Sequence, residues 1–158
     1  MRKMILPLSF GITVLCLTTC YHKVEDIGMI ISIKYAGEKY VISTPEDLEY
    51  FVKESSGIPD LKLLDVAIID KEDVQGQYKT VMATALNIKR DQHYTIDIPL
   101  RLRSSSAFSH STIYEAYCVM TCGSNSGDGY CQQTVLERCK EQLCNCTGTG
   151  ESAVIFPD

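Results

Sequence analysis

Histidine is scarce in this chain, and its three copies, His22, His93 and His110, stand far apart with no ligand spacing between them. Metal centres draw on close pairs of ligands, so histidine offers none here. The C-x-x-C spacing that tunes a thiolate in thioredoxin-like enzymes is missing. So are the G-x-S-x-G elbow, the phosphate-binding glycine loop and the dinucleotide fingerprint. Ser109, His110 and Asp97 can be strung into a triad on paper, but adjacency in sequence does not bring a serine and a histidine side chain together. Asn125 and Asp128 lie in a glycine-rich loop that lacks the calcium-loop pattern and its closing glutamate. The expectation is a protein with no catalytic residues, no metal site and no cofactor.

Positive charge is also in short supply. Fifteen Lys and Arg stand against twenty Asp and Glu, for a net charge of −5. Phosphate binding needs a basic face, so nucleic acid is not an expected partner. A single long apolar run occurs, no second apolar segment is long enough to span a bilayer, and no repeat, heptad pattern or low-complexity tract is present.

That run lies at the beginning. Arg2 and Lys3 precede fourteen uncharged residues, Met4 to Leu17, and Leu17-Thr18-Thr19-Cys20 follows. The run is shorter than the roughly 20 apolar residues of a membrane span and has the layout of a secretory signal. A charged start, an apolar run and a terminal Leu-x-x-Cys resemble a bacterial lipoprotein precursor, in which a peptidase cuts before the cysteine. Thr19 stands where that family usually has Gly, Ala or Ser. The resemblance implies a diacylglycerol on the Cys20 thiol and acylation of the new N-terminus, palmitate being the usual chain. Each buried methylene contributes about 0.8 kcal/mol, and two or more acyl chains hold a protein on a membrane. By the same resemblance, an acidic residue after the cysteine would retain the protein at the inner membrane. Tyr21 is not acidic, which directs it to the cell outer membrane. Glu25-Asp26 resembles the acidic surface-export signals of Bacteroidota lipoproteins.

Cysteine usage agrees with export. Cys16 lies in the signal and Cys20 is the lipid-attachment candidate. Cys118, Cys122, Cys131, Cys139, Cys144 and Cys146 remain, an even set that reads as three disulfides in an oxidising compartment. Spacing does not choose their pairing. A segment with few large apolar groups would be held by such cross-links in place of a core. The alternative use of the six thiols is a metal site built from C-x3-C and C-x-C. Asn145-Cys146-Thr147 fits a glycosylation triplet, which has no meaning in a bacterial host.

The chain divides into a signal peptide over 1–19, a tether over 20–27, an α+β sheet domain over 28–112 and a cysteine-rich tail over 113–158. Removing 19 of 158 residues leaves 139, the size of one domain, and losing Arg2 and Lys3 leaves 13 cations against 20 acids, −7. Met29, Ile31, Ile33 and Tyr35 alternate as a strand, Ala36-Gly37 turns, and Tyr40 with Ile42 returns. Thr44, Pro45 and Asp47 form a helix start, Leu48, Phe51 and Val52 share a helical face, and Gly57 with Pro59 ends the element. Leu61 to Ile69 reads as a buried or edge strand. Tyr78–Lys89 and Tyr94–Arg103 form a second hairpin. In its last strand Tyr94, Ile96, Ile98, Leu100 and Leu102 face a core, while Thr95, Asp97, Arg101 and Arg103 face water. Pro99 cannot donate to a ladder and predicts an edge or a bulge. These elements predict an α+β fold, an antiparallel sheet of about five strands with one main helix, followed by a small disulfide-rich tail.

In the tail, residues 113–122 fit either a helix or a strand, and 132–143 fits a helix carrying Val135, Cys139 and Leu143 on the face of Cys131. With 113–122 helical, C-x3-C and C-x-C are similar to the cysteine-stabilised αβ motif of defensins, although Cys139 ahead of the C-x-C departs from it. The expected function is that of a non-enzymatic cell-envelope lipoprotein, an interaction or structural protein at the membrane surface. Its expected partners are the membrane, through the lipid anchor, and an unidentified protein or surface component. The alternative is a small secreted enzyme or metal-binding protein using the cysteine-rich tail.

Overall fold

A computed structural model describes residues 27–105, 112–124, 131–146 and 150–156. Cys20, the signal and the tether through residue 26 lie outside the described residues, as do Ser109, His110, Asn125 and Asp128. The elements are β1 (Ile30–Tyr35), β2 (Glu38–Ile42), α1 (Pro45–Ser56), β3 (Leu61–Asp73), β4 (Gly76–Asn87) and β5 (Gln92–Ser105). They continue with β6 (Thr112–Ala116), β7 (Val119–Ser124), β8 (Cys131–Glu137), β9 (Glu141–Cys146) and β10 (Gly150–Ile155).

Among the described residues, one helix and ten strands make the molecule mostly β, which overturns the expected α+β class. The main sheet has eight strands and is not purely antiparallel, since β1 pairs with β6 in parallel register. The count rose because the supposed tail is built into the sheet. β6 and β7 lie end to end along one edge of β5, Leu100 opposite Ala116 and Asp97 opposite Met120, while β4 occupies the other edge. β1 and β2 extend the β6 half, and β10 extends the β7 half. Residues 112–116 and 119–124 are thus strands, so Cys118 and Cys122 do not share a helical face.

The expected helix over 132–143 is also absent. Residues 131–146 form a separate hairpin, β8 with β9, turning at Arg138–Lys140 with Cys139 in the left-handed region (φ 61°). Cys131 pairs directly with Cys146 in that hairpin and is disulfide-bonded to it. The helical spacing of Cys131, Val135, Cys139 and Leu143 competes with a strand alternation, Cys131 and Gln133 inward and Gln132 and Thr134 outward. The cross-link between paired strands decides in favour of the hairpin.

The first half follows its sequence signals. Ala36 and Gly37 both have positive φ, 52° and 80°, as a two-residue hairpin turn requires. In α1, Thr44 Oγ1 accepts from the Asp47 amide and Asp47 accepts from the Thr44 amide, a reciprocal cap, and Gly57 closes the helix in a left-handed conformation. Leu48, Phe51 and Val52 are buried against Ile31, Ile33, Ile42, Val81, Ile96 and Ile98. The helix packs on β2 and β3, which lie at opposite ends of the strand order β2-β1-β6-β5-β4-β3, and so covers the core face between them. β3 is the edge strand anticipated for Leu61–Ile69.

Two expectations for β5 hold only in part. Pro99 is in a central strand, not an edge, although that strand is bulged further on, between Leu102 and Ser104. Pro99 sits where β6 passes into β7, and the Tyr117 amide donates to Pro99 O without the return bond that proline cannot make. Of the face assigned to water, Thr95 and Asp97 are covered, at 9% and 0% exposed, while Arg101 and Arg103 are exposed as expected and Leu102, assigned to the core, is exposed. The β8–β9 hairpin lies over the covered part. The result is three layers, with α1, the sheet and the hairpin stacked in that order.

Candidate functional site

The outer interface, between sheet and hairpin, is held by sulfur and charge. Cys118–Cys139 and Cys122–Cys144 tie β7 and its approach to the hairpin, and Cys131–Cys146 closes the hairpin on itself. All six candidate cysteines are paired. Three cystines mark an oxidising compartment, and no helix among the described residues is long and apolar enough to cross a membrane.

Beneath the hairpin lies a buried polar cluster. The Asp97 carboxylate is contacted by the Lys71 ammonium and accepts a 2.6 Å bond from Thr80 Oγ1. Next to it, Arg138 at the hairpin turn meets Asp73 in a two-pronged pair, Nε to Oδ2 at 3.1 Å and a terminal nitrogen to Oδ1 at 3.0 Å. The Arg138 amide also donates to Asp73, and its guanidinium lies 4.5 Å over the Tyr78 ring. Burial, followed by the nearby Asp97 and Asp73 charges, pushes the Tyr78 phenol up to about 12. Burial acts to raise the Asp73 carboxyl, but its bonds from Arg138 prevail and hold it below the ordinary range.

Each charge in this cluster has a geometric partner, and the arrangement clamps one layer to another. Of the imagined triad, only Asp97 is described, and its oxygens are taken by Lys71 and Thr80. Among the described residues no group of three His, Cys, Asp or Glu is placed to hold a metal. The sequence reading missed Lys71, Asp73 and Arg138. Lys71 and Asp73 do share a strand face with Tyr78 through register, but that spacing is equally that of a solvated edge.

The open concavity lies on the opposite face. Past the end of α1 the core side of β7 and β10 is left unroofed, forming a groove of about 560 Å³. Ser55, Ser56 and Ile58 form one wall, Ala153 and Ile155 the other, and Tyr94 the floor. A second hollow of about 260 Å³ adjoins it beyond Tyr94, with Asp60, Lys89 and Arg90 around it. Tyr94 reaches this position because its cross-strand neighbour is a glycine: a Cβ on Gly123 would lie 2.4 Å from Tyr94 Cε1. The phenol donates to Gln92 Oε1 at 3.2 Å. Burial raises its pKa, the Glu151 charge adds to the rise and Arg90 opposes it, so the ring stands between an acidic and a basic rim. Hydroxyls, one aromatic ring and two rims of opposite sign suit binding. No family model, curated protein or solved structure matches this chain.

Proposed function

We propose that this chain is a non-enzymatic lipoprotein of the bacterial cell envelope, anchored through acylated Cys20 to the outer membrane. The observation that carries the reading is the cysteine balance. Cys118, Cys122, Cys131, Cys139, Cys144 and Cys146 are consumed in three pairs, which leaves Cys20 as the unpaired cysteine once a signal ending at Thr19 is removed. An odd cysteine in an oxidising compartment calls for another fate, and its place after Leu17-Thr18-Thr19 supplies one. Two or more acyl chains there hold the folded domain at the membrane. The Tyr94 groove then serves as the face that meets an envelope or surface partner. Cystine sulfur is not a thiolate ligand, so the pairing gives no support to zinc or redox chemistry in the cysteine-rich segment.

Replacing Cys20 tests this directly. In cells fed a labelled fatty acid, the wild-type chain is expected to carry label and fractionate with membranes. Cys20→Ala is expected to lose the label and the membrane association while keeping all three cystines by intact mass with and without reduction and alkylation. Unchanged labelling and fractionation of Cys20→Ala would overturn the lipoprotein reading.

A further inference from the structure

Beneath the hairpin, two ion pairs of different kinds lie side by side. Arg138 holds Asp73 with two nitrogens on two oxygens, the planar match that guanidinium and carboxylate favour. Lys71 and Asp97 have no such match. The ammonium contacts one carboxylate oxygen, Oδ2, and among the described residues it has no second acceptor for its three N–H groups. Yet the Asp97 side chain is fully buried and that of Lys71 only 21% exposed. The pair also spans two strands that are not neighbours, since Lys71 lies in β3, Asp97 in β5, and β4 runs between them. Burying an ammonium and a carboxylate with so few hydrogen bonds forfeits solvation that their attraction does not restore in full.

We propose that Lys71 and Asp97 close an intramolecular isopeptide bond, the lysine nitrogen joined to the aspartate carboxyl carbon. The reaction balances without an added reagent. The ammonium passes one proton to Oδ2 and becomes an amine, whose lone pair attacks Cγ. The C–N bond forms, the bond from Cγ to Oδ2 breaks, and Oδ2 leaves as water with that proton and a second one from the nitrogen. Each contact stands where these steps need it. Lys71 Nζ lies on Oδ2, the oxygen that departs, and so beside Cγ. Thr80 Oγ1 donates at 2.6 Å to Oδ1, which gathers negative charge at the tetrahedral stage and remains as the amide carbonyl. Met82 and Met120 pair with Asp97 from the flanking strands, and Met120 is wholly buried, which keeps bulk water from the reacting atoms. The neutral amide replaces two buried charges, keeps the Thr80 bond and leaves one N–H to satisfy in place of three. The bond joins residues 26 apart in sequence, fastening β3 to β5 across β4 by a link that reductant does not cut. This inference concerns the folded domain and stands whether or not Cys20 is acylated.

Tryptic mapping of the purified full-length chain, reduced and alkylated, tests it. Trypsin does not cut after an acylated lysine. The wild type is therefore expected to yield residues 63–79 joined to residues 91–101, lighter by one water than the two segments together. Fragmentation should place the link between Lys71 and Asp97. Lys71→Arg keeps a cation opposite Asp97 but has no alkylamine to acylate. It is expected to release residues 63–71 and 91–101 separately at full mass, with its three cystines formed as mapped before reduction. On reducing gels the wild type should run ahead of that variant, because its unfolded chain keeps a closed loop. A wild type that releases 63–71 and 91–101 as separate peptides holds an ordinary ion pair and overturns the proposal, whatever the variant does. Loss of water that persists in Lys71→Arg, or a link from Lys71 to another residue, overturns it equally by placing the chemistry elsewhere.

Discussion

At Thr95 and Ile96 the two faces of β5 meet different interiors, one lined by α1 and the other by the hairpin. Ile96→Asp places an unpaired charge in the apolar core, and Thr95→Asp places one beneath the hairpin, where Thr95 Oγ1 already lacks a partner. Both substitutions are therefore expected to destabilise by at least about 2 kcal/mol, measured by denaturant unfolding. A mild effect at Thr95 would mean that the hairpin leaves that face wet. The alternation of Ile96, Ile98 and Leu100 is visible in the sequence because it repeats within one strand. The cover on the other face is not, because it arrives from a segment some forty residues on. Gly123 was unreadable for the same reason, since its need depends on a ring across the sheet. Gly123→Ala is expected to cost about 1–3 kcal/mol in the wild type and much less in a Tyr94→Ala background, because the methyl group and the ring claim one space. Additive effects in that double-mutant cycle would separate the glycine from the groove floor.

Among the elements, α1 and the hairpin β8–β9 contrast most. The helix announces itself locally, with Thr44, Pro45 and Asp47 at its start and Gly57 at its end, and the structure uses each as its chemistry suggests. The hairpin does not, because cysteines spaced for a helix are paired as a strand ladder, and Arg138 finds Asp73 only in the fold. Asp73 is 1% exposed as a side chain, so Arg138→Ala strands a buried carboxylate and is expected to cost about 3–5 kcal/mol. The same pair sets a pH response. With its pKa held below the ordinary range, Asp73 contributes stability that is complete at neutral pH and is lost as pH falls through the depressed value. Hydrogen exchange is expected to show the hairpin loosening in acid before α1 does, and Arg138→Ala is expected to abolish that separate step. At the other extreme, Tyr78 stays neutral in the fold up to about 12 against 10.0 when exposed, so its contribution falls as pH rises from about 10 to about 12. An alkaline unfolding midpoint unmoved in Tyr78→Phe would remove that contribution.

For the molecule as a whole, the layers differ in what binds them, and this decides how it comes apart. The interface between α1 and the sheet is apolar and holds Phe51, Leu48, Ile33 and Ile98 with no cystine among them. The interface between the sheet and the hairpin differs, with two cystines, one ion-pair clamp and the buried Tyr78 ring under Arg138. Each cross-link closes 15 to 22 residues of chain and is worth about 3 kcal/mol in the unfolded-state account. Reduction is therefore expected to release β8 and β9 first. A cysteine-rich tail over 113–158 loosening as one unit is not what this architecture predicts, because β6, β7 and β10 pair within the main sheet. Hydrogen exchange before and after reductant should show protection lost in 131–146 and kept in α1 and β3–β5. β7 and β10 should hold most of theirs, since their ladders do not depend on sulfur. The Tyr94 groove lies on the α1 side and should keep its shape, whereas the polar face around Asp97 should open to water. Uniform loss of protection through α1 and the central strands would show instead that the cystines support the whole fold, and that the two interfaces are one cooperative unit.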